Sequence, residues 1–309
     1  MTATFTAPTS LTEVLDALAA GAVPLAGGTD LVVGHRQGKR PLPAAIVSLN
    51  RVADLRGIVA GDSGSIFIGA LTNHHTIVLD DRMRADYSGL ADASSIVGSV
   101  ATRATGTIGG NVMNASPAAD TIAPLLCHDA VAVLRSSVGE RRVPLTEFFV
   151  GPGRTTAAVD ELLVGIELAP SSPATGSAYV RLEYRRQMEI AIVGAAAVLR
   201  LDPDGRVVHA RVAMTALAPT IQRVPAAEAA LLGTDAGEAA ATAAGEAVAA
   251  AARPISDVRG SATYRRAMAA VIARRAVAAA ATRARGGDVA IPASTSTFGK
   301  RAEHQGSGA

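Results

Sequence analysis

With 309 residues, 49% hydrophobic and 18% charged, the chain is long enough for two domains and apolar enough to bury a core in each. A formal net charge of +2 and 3% aromatic residues argue against nucleic-acid binding, since the basic residues fall in scattered Arg doublets and platforms for stacking bases are lacking. No apolar run approaches the length of a membrane span and the first residues carry no charged-then-apolar leader pattern, so a cytoplasmic protein without membrane insertion is expected.

In chain order, Ser10-Leu11-Thr12-Glu13 is a capping-box pattern that starts an amphipathic helix through Ala20, stopped by Gly21. The apolar run 23–26 reads as a strand that halts at Gly27-Gly28-Thr29-Asp30, before a new element opens with Leu31 to Val33. Residues 45–49 read as a second strand and 52–55 as a helical turn, completing a small α/β unit. Ile58–Ala60 and 65–68 flank Gly61-Asp62-Ser63-Gly64, a hairpin signal, and Thr72 is placed to cap a helix through Leu79. His74 and His75 read as an exposed start of that helix rather than a metal pair, because further ligands are lacking nearby. Residues 87–99 read as a helix packed behind the stretch 105–120, residues 121–127 as a short helix leaving it, and residues 130–134 and 161–168 as strands bracketing Phe148 and Phe149. Cys127, the single cysteine, follows Leu125-Leu126 on an apolar face and reads as a buried structural thiol beside His128. One cysteine excludes an internal disulfide and a thiolate-held zinc or iron–sulfur centre within this chain.

Residues 170–176 combine Ser, Pro, Thr and Gly without an apolar period and read as a linker. Beyond it, residues 191–201 and 207–217 are two long apolar strands joined by the hairpin Asp202-Pro203-Asp204-Gly205. Residues 226–232, 236–252 and 261–283 are Ala-rich helices that would cover this sheet, with Arg265, Arg266, Arg274 and Arg275 as a basic face, either solvated or a surface for a partner subunit. From about Gly286 the composition predicts a disordered tail.

The stretch from Thr105 to Asp120 is the most suggestive of ligand contact. The pair Gly109-Gly110 suits positive φ and close approach of a ligand to the backbone, and successive amides in such a turn form a nest for anions. Thr107 and Ser116 add hydroxyls, Asn111 adds amide donors, and Asp120 is an acceptor suited to sugar hydroxyls. Together with the Gly27-Gly28 loop, this predicts a phosphorylated, hydroxyl-rich ligand. Neither loop carries the G-x-G-x-x-G fingerprint or the lysine-bearing phosphate loop of NTPases.

A-G-G-T-D-L at 26–31, T-I-G-G-N-V-M-N-A-S-P-A-A-D at 107–120, the run from Arg181 to Ala196 and the run from Arg253 to Arg266 resemble the FAD-binding (medium) subunit of molybdopterin-containing hydroxylases, the family of xanthine dehydrogenase and aerobic carbon monoxide dehydrogenase. The resemblance implies an α+β protein. Residues 1–172 would form a two-subdomain FAD-binding fold of the vanillyl-alcohol-oxidase-like type (about 1–56 and 57–172), residues 176–285 a C-terminal domain of a small antiparallel sheet with a helical layer, and 286–309 the tail.

It also implies an oxidoreductase subunit that passes electrons from iron–sulfur clusters through FAD to an acceptor: NAD, a quinone or oxygen. FAD would be bound non-covalently, since neither glycine loop holds a His or Cys. Molybdopterin would sit in a large partner subunit and 2Fe–2S clusters in a small one. Leu25, Ala26, Gly27, Gly28, Thr29, Asp30 and Leu31, with Thr107, Ile108, Gly109, Gly110 and Asn111, match the flavin loops. Asp120 matches the hydroxyl-binding acid, and Val97, Thr102, Leu163 and Arg181 match further cofactor contacts. At Arg181 the family usually has Lys. Arg185-Arg186 opens the second domain where the family bends it over the flavin. Ile190 stands where the carbon monoxide branch often has Tyr, and Thr29-Asp30 replaces that branch's pair ending in Ser; both departures point away from carbon monoxide as substrate. The rival readings are an independent flavoenzyme, which would need an acid–base residue over the flavin, and a colourless nucleotide-binding module.

Overall fold

The structure, a computed structural model, describes residues 4–39, 41–61, 64–185 and 188–297. Its N-terminal unit contains β1 (Thr4–Thr6), α1 (Leu11–Ala19), β2 (Val23–Leu25), α2 (Leu31–Arg36) and β3 (Ala45–Ser48). The capping box forms as expected: Ser10 Oγ accepts from the Glu13 amide at 3.3 Å while the Glu13 carboxylate accepts from the Ser10 amide at 3.3 Å. Val14, Leu15 and Leu18 then face the core, because spacings of three and four residues share one helix face. The sheet is parallel in the order β1-β3-β2.

Next come β4 (Ile58–Ala60), β5 (Ile66–Gly69), α3 (His74–Leu79), α4 (Asp81–Asp86), α5 (Ser88–Ser95), α6 (Val100–Thr105), α7 (Ile108–Asn114) and α8 (Ile122–Cys127). Five strands follow: β6 (Val131–Ser136), β7 (Gly139–Pro144), β8 (Phe149–Gly151), β9 (Arg154–Thr155) and β10 (Leu162–Leu168). The sheet here has the order β4-β5-β10-β6-β7 and is antiparallel where its pairs are defined. Asn73 rather than Thr72 caps α3, its Oδ1 accepting from the Thr76 amide at 2.8 Å. The Thr72 hydroxyl instead donates to the Gly57 carbonyl. His74 is buried at 1% exposure, against the expected exposed helix start, while His75 is exposed.

The C-terminal part comprises β11 (Thr175–Leu182), β12 (Val193–Leu201), β13 (Val207–Thr215), β14 (Gln222–Arg223), α9 (Pro225–Leu231), α10 (Glu238–Ala251), α11 (Ala262–Ala284) and α12 (Ala293–Thr297). Its sheet, in the order β11-β12-β13-β14, is the middle of three layers. Alternate side chains Val180, Ala195, Ala197 and Leu199 share a core with Ala244, Val248 and Val277 of the α10–α11 layer. Their neighbours Tyr179, Ala196 and Val198 share a core with Leu90, Ala93 and Leu126 from α5 and α8. Small residues make this possible: a Cβ on Gly89 would lie 3.1 Å from the Ala178 amide nitrogen, and one on Gly176 would overlap the Ala280 carbonyl.

Cys127 is buried here as expected, its thiol 3.7 Å from the Ala196 carbonyl, and burial pushes that thiol well above its usual range. Two expectations change. Arg265 is not part of a solvated face but is 3% exposed, donating to the Ile192 carbonyl at 2.9 Å and to Asp257 at 2.6 Å. The chain after Gly286 is not disordered up to 297, since Ala293 and Ser294 are buried; residues 298–309 lie outside the described residues, as does Arg186.

Candidate functional site

The two glycine loops meet. A Cβ on Gly27 would overlap the Thr105 carbonyl oxygen and lie 3.2 Å from Gly106 Cα, and one on Gly106 would lie 3.5 Å from Thr29 Oγ1 and 3.6 Å from His74 Cδ2. Glycine at both positions is what lets the strand-end loop after β2 nest against the α6–α7 junction. Gly28 has φ +71°, the left-handed region that favours glycine, and its carbonyl accepts from the Val32 amide at 3.0 Å to open α2. Among the described residues, the backbone N–H groups of Gly27, Gly28 and Thr29 have no partner. The unpartnered amides are therefore on the first loop, between Leu25 and Leu31, with Ala26 and Gly27 half-buried and Asp30 exposed.

The second loop is not a nest. Thr107 is a helix cap whose Oγ1 accepts from the Gly110 amide at 3.0 Å, so Gly109 and Gly110 are in the first turn of α7 rather than in the positive-φ conformation expected of them. The Ile108 and Gly109 amides donate to the Thr72 and Ala70 carbonyls, each at 2.9 Å. Gly109 is required by packing instead, because its Cβ would come within 2.6 Å of Ala70 Cβ. What the loop offers is side chain: Asn111 Oδ1 accepts from the Thr121 hydroxyl at 2.6 Å, which turns the amide nitrogen of Asn111 away from that bond and leaves it available.

Asp120 is 7% exposed and lies in a buried cluster across β11. Tyr179 OH donates to its Oδ1 and Arg181 Nη1 to its Oδ2, both at 2.7 Å. Arg181 Nη2 also pairs with Glu183, and the Arg181 amide donates to Ser294 Oγ at 3.0 Å. Burial pushes the Asp120 carboxyl up from its ordinary range, opposed by the charge of Arg181 and the hydroxyl of Tyr179. Burial opposes the charge on Arg181, yet Asp120 and Glu183 outweigh it and hold that guanidinium above its usual value. An ionised carboxylate has about four acceptor sites, so Asp120 retains room for a further hydroxyl.

Of the remaining expected positions, Val97 precedes α6 and Thr102 lies within it. The Val97 carbonyl accepts from Arg103 at 3.2 Å, and the Thr102 hydroxyl lies 3.8 Å from Met188 Sδ. The Met188 amide donates to the Gly98 carbonyl at 3.1 Å, so the turn after β11 touches the segment before α6. Leu163 is set apart, its side chain 2% exposed in the core at an irregularity of β10. Arg185 is at the surface, paired with Glu189 at 3.1 Å. Ile190, 47% exposed, follows it.

Sequence reasoning missed Tyr179, Glu183 and Ser294, and it placed the buried His74 at the surface. Tyr179 and Arg181 carried a signal, being polar-tipped residues two apart on a strand and so on one face. His74 carried none: burial depresses its imidazole to about 4 with help from the charge of Arg103, and its Nδ1 is buried without a partner among the described residues.

Residues 1–171 match the model of the FAD-binding domain in molybdopterin dehydrogenase, and residues 177–280 that of the CO dehydrogenase flavoprotein C-terminal domain. The chain is 33% identical over 277 residues to the carbon monoxide dehydrogenase medium chain of Hydrogenophaga pseudoflava, covering 89% of this chain and 95% of the relative. It is 34% identical over 206 residues to the xanthine dehydrogenase FAD-binding subunit of Escherichia coli O157:H7, covering 66% and 70%. Among solved structures, a chain of the Hydrogenophaga pseudoflava carbon monoxide dehydrogenase superposes with TM-score 0.87 at 34% identity, covering 92% of this chain and 98% of that one. A chain of quinoline 2-oxidoreductase from Pseudomonas putida 86 superposes with TM-score 0.84 at 29% identity, covering 92% and 98%. With both domain models matched in order and the fold shared along most of its length, the chain belongs to the family of FAD-binding subunits of molybdopterin dehydrogenases, an oxidoreductase family.

Proposed function

We propose that this chain is an electron-transfer subunit of a heteromeric molybdenum hydroxylase. It would hold FAD between iron–sulfur clusters of a small partner subunit and an external acceptor, in a complex whose large subunit carries molybdopterin. The observation that carries the reading is the set of unpartnered amides at Gly27, Gly28 and Thr29, because successive free amides suit a diphosphate. Flavin, when bound, supplies the redox chemistry. The chain's own residues bind and orient it. The first loop would take the diphosphate on its amides, with Leu25, Ala26, Asp30 and Leu31 shaping the cradle, and Asp120 would accept from a hydroxyl of the flavin side chain. Ile108, Gly109 and Gly110 would act by placing Asn111 and Thr107, while Val97, Thr102 and Arg181 bound the rim and Leu163 supports from the core. Relatives of this chain are named as medium or FAD-binding subunits, and its single cysteine leaves any thiolate-ligated cluster to other polypeptides.

The test is purification of the full-length chain alone and from its native host. A flavin spectrum is expected, with FAD released by acid, and the native preparation should contain two further chains with molybdenum and iron. The isolated chain should accept electrons from an artificial donor but oxidise no organic substrate. FMN, flavin that stays attached after denaturation, or substrate turnover by the metal-free chain at about 1 per second or faster would each overturn the assignment.

A further inference from the structure

β11 is an edge strand, hydrogen-bonded on one side to β12 and facing no strand on the other. Unpaired edge groups that become buried are costly, and here side chains stand in for the missing neighbour. The Tyr179 amide donates to Asp92 Oδ2 at 3.0 Å, the Arg181 amide to Ser294 Oγ at 3.0 Å, and the Ser177 carbonyl accepts from Ser88 Oγ at 2.8 Å and Arg283 Nη1 at 2.7 Å. Residues 177, 179 and 181 are spaced by two, so their backbone groups share one edge and the side chains of Tyr179 and Arg181 share one face. That face is the one that holds Asp120.

Two of these four groups, Ser294 and Arg283, come from the C-terminal part of the chain, and the other two, Ser88 and Asp92, from α5. Arg283 binds Asp92 through Nη1 at 2.7 Å and Nη2 at 3.0 Å, and its Nη2 also donates to the Val289 carbonyl at 3.0 Å and the Ala290 carbonyl at 3.3 Å. Asp92, with no exposed surface, accepts in addition from the Ala293 amide at 2.9 Å. Every one of these C-terminal donors and acceptors lies past residue 280, where the match to the C-terminal domain model ends.

We propose that residues 283–294 form a strap that positions Tyr179 and Arg181 on Asp120, with Ser294 as the positioning residue, and so sets how firmly the site grips the hydroxyl-bearing part of FAD. This rests on the reading that Asp120 accepts from a flavin hydroxyl. The edge bonds fix the height of β11 at the two positions whose side chains orient the carboxylate. Loss of the Ser294 hydroxyl leaves the Arg181 amide without its acceptor and lets the strand relax there, while Asp120 itself is untouched.

The experiment is a double-mutant cycle on the full-length chain stripped of flavin, with the FAD dissociation constant and the visible circular dichroism of bound flavin as readouts. Ser294→Ala should weaken FAD by about fivefold, the equivalent of one hydrogen bond, and change the flavin dichroism. Asp120→Asn should weaken it by about tenfold or more, as for a hydrogen bond to a charged group, and the double variant should be no weaker than Asp120→Asn alone. If Asp120→Asn does not accumulate as folded protein, Tyr179→Phe takes its place in the cycle. Additive losses, or unchanged affinity in Ser294→Ala alongside a weakened Asp120→Asn, would overturn the strap. Unchanged affinity in Asp120→Asn would overturn the reading of Asp120 itself, whatever Ser294→Ala does.

Discussion

Gly109 and Gly110 are adjacent in sequence, yet a methyl group meets different things at each. At Gly109 it would lie 2.6 Å from Ala70 Cβ and 2.7 Å from the Ala70 carbonyl oxygen, whereas at Gly110 the nearest atom is Thr107 Oγ1 at 3.0 Å. Gly109→Ala should therefore cost about 1–3 kcal/mol by forcing α7 away from the end of β5. Gly110→Ala should cost under about 1 kcal/mol, since Ala is the better helix former and offsets the tight contact with the cap. Thermal unfolding of the two variants measures the difference. Equal losses would mean that Gly110 needs a conformation that alanine cannot adopt, as the sequence alone suggested.

At the scale of elements, Asp92 ties α5, β11, α11 and α12 together through the bonds to Arg283, Tyr179 and Ala293. Burial pushes its carboxyl up, and the Arg283 hydrogen bonds and charge pull it back. Both partners are almost wholly enclosed, with side-chain exposures of 9% for Arg283 and 0% for Asp92, so removing one charge leaves the other stranded. Asp92→Asn should destabilise the chain by about 3–5 kcal/mol, read from urea unfolding. A loss below about 1 kcal/mol would show that the pair holds no layers together. The sequence reading expected a helix at 87–99 and placed it behind the site, which α5 bears out in part. The burial of Asp92 is not legible in the sequence, because α5 is enclosed on every side and a lone Asp has no periodicity of its own.

For the whole molecule, acid stability follows from His74. Its folded imidazole titrates near 4 against an ordinary 6.5, so the unfolded chain takes up a proton that the folded chain refuses. Stability is thus lost as pH falls from about 6.5 and the loss levels off below about 4, amounting to up to about 3 kcal/mol. His128, also depressed to about 4 by burial, adds in the same direction. Asp92 and Asp120, with carboxyls raised by burial, act with the opposite sign, since each takes up its proton at a higher pH in the folded chain than in the unfolded one. Comparing His74→Phe with the unaltered chain isolates the imidazole: the variant should lose less stability between pH 6.5 and 4. Parallel pH profiles would remove His74 from the account.

Local chemistry was enough to determine much of this molecule. The Ser10–Glu13 capping box, the hairpin at Asp202–Gly205 with Gly205 at φ +78°, the apolar strands β12 and β13 and the Ala-rich helices over them all follow from patterns a few residues long. The glycine loops and their neighbours also pointed to FAD and to the family, because those residues carry their chemistry in their identity. What only the tertiary structure decided is how distant groups share the work. The free amides lie on the first loop and not the second, since Ala70 and Thr72 take the amides of α7. Asp120 finds its partners in Tyr179 and Arg181, roughly sixty positions away, and a stretch that reads as a polar tail closes the edge of β11. Burial is the physical reason: whether a donor, a carboxylate or an imidazole is satisfied depends on which atoms fold around it, and that is set by packing across the chain.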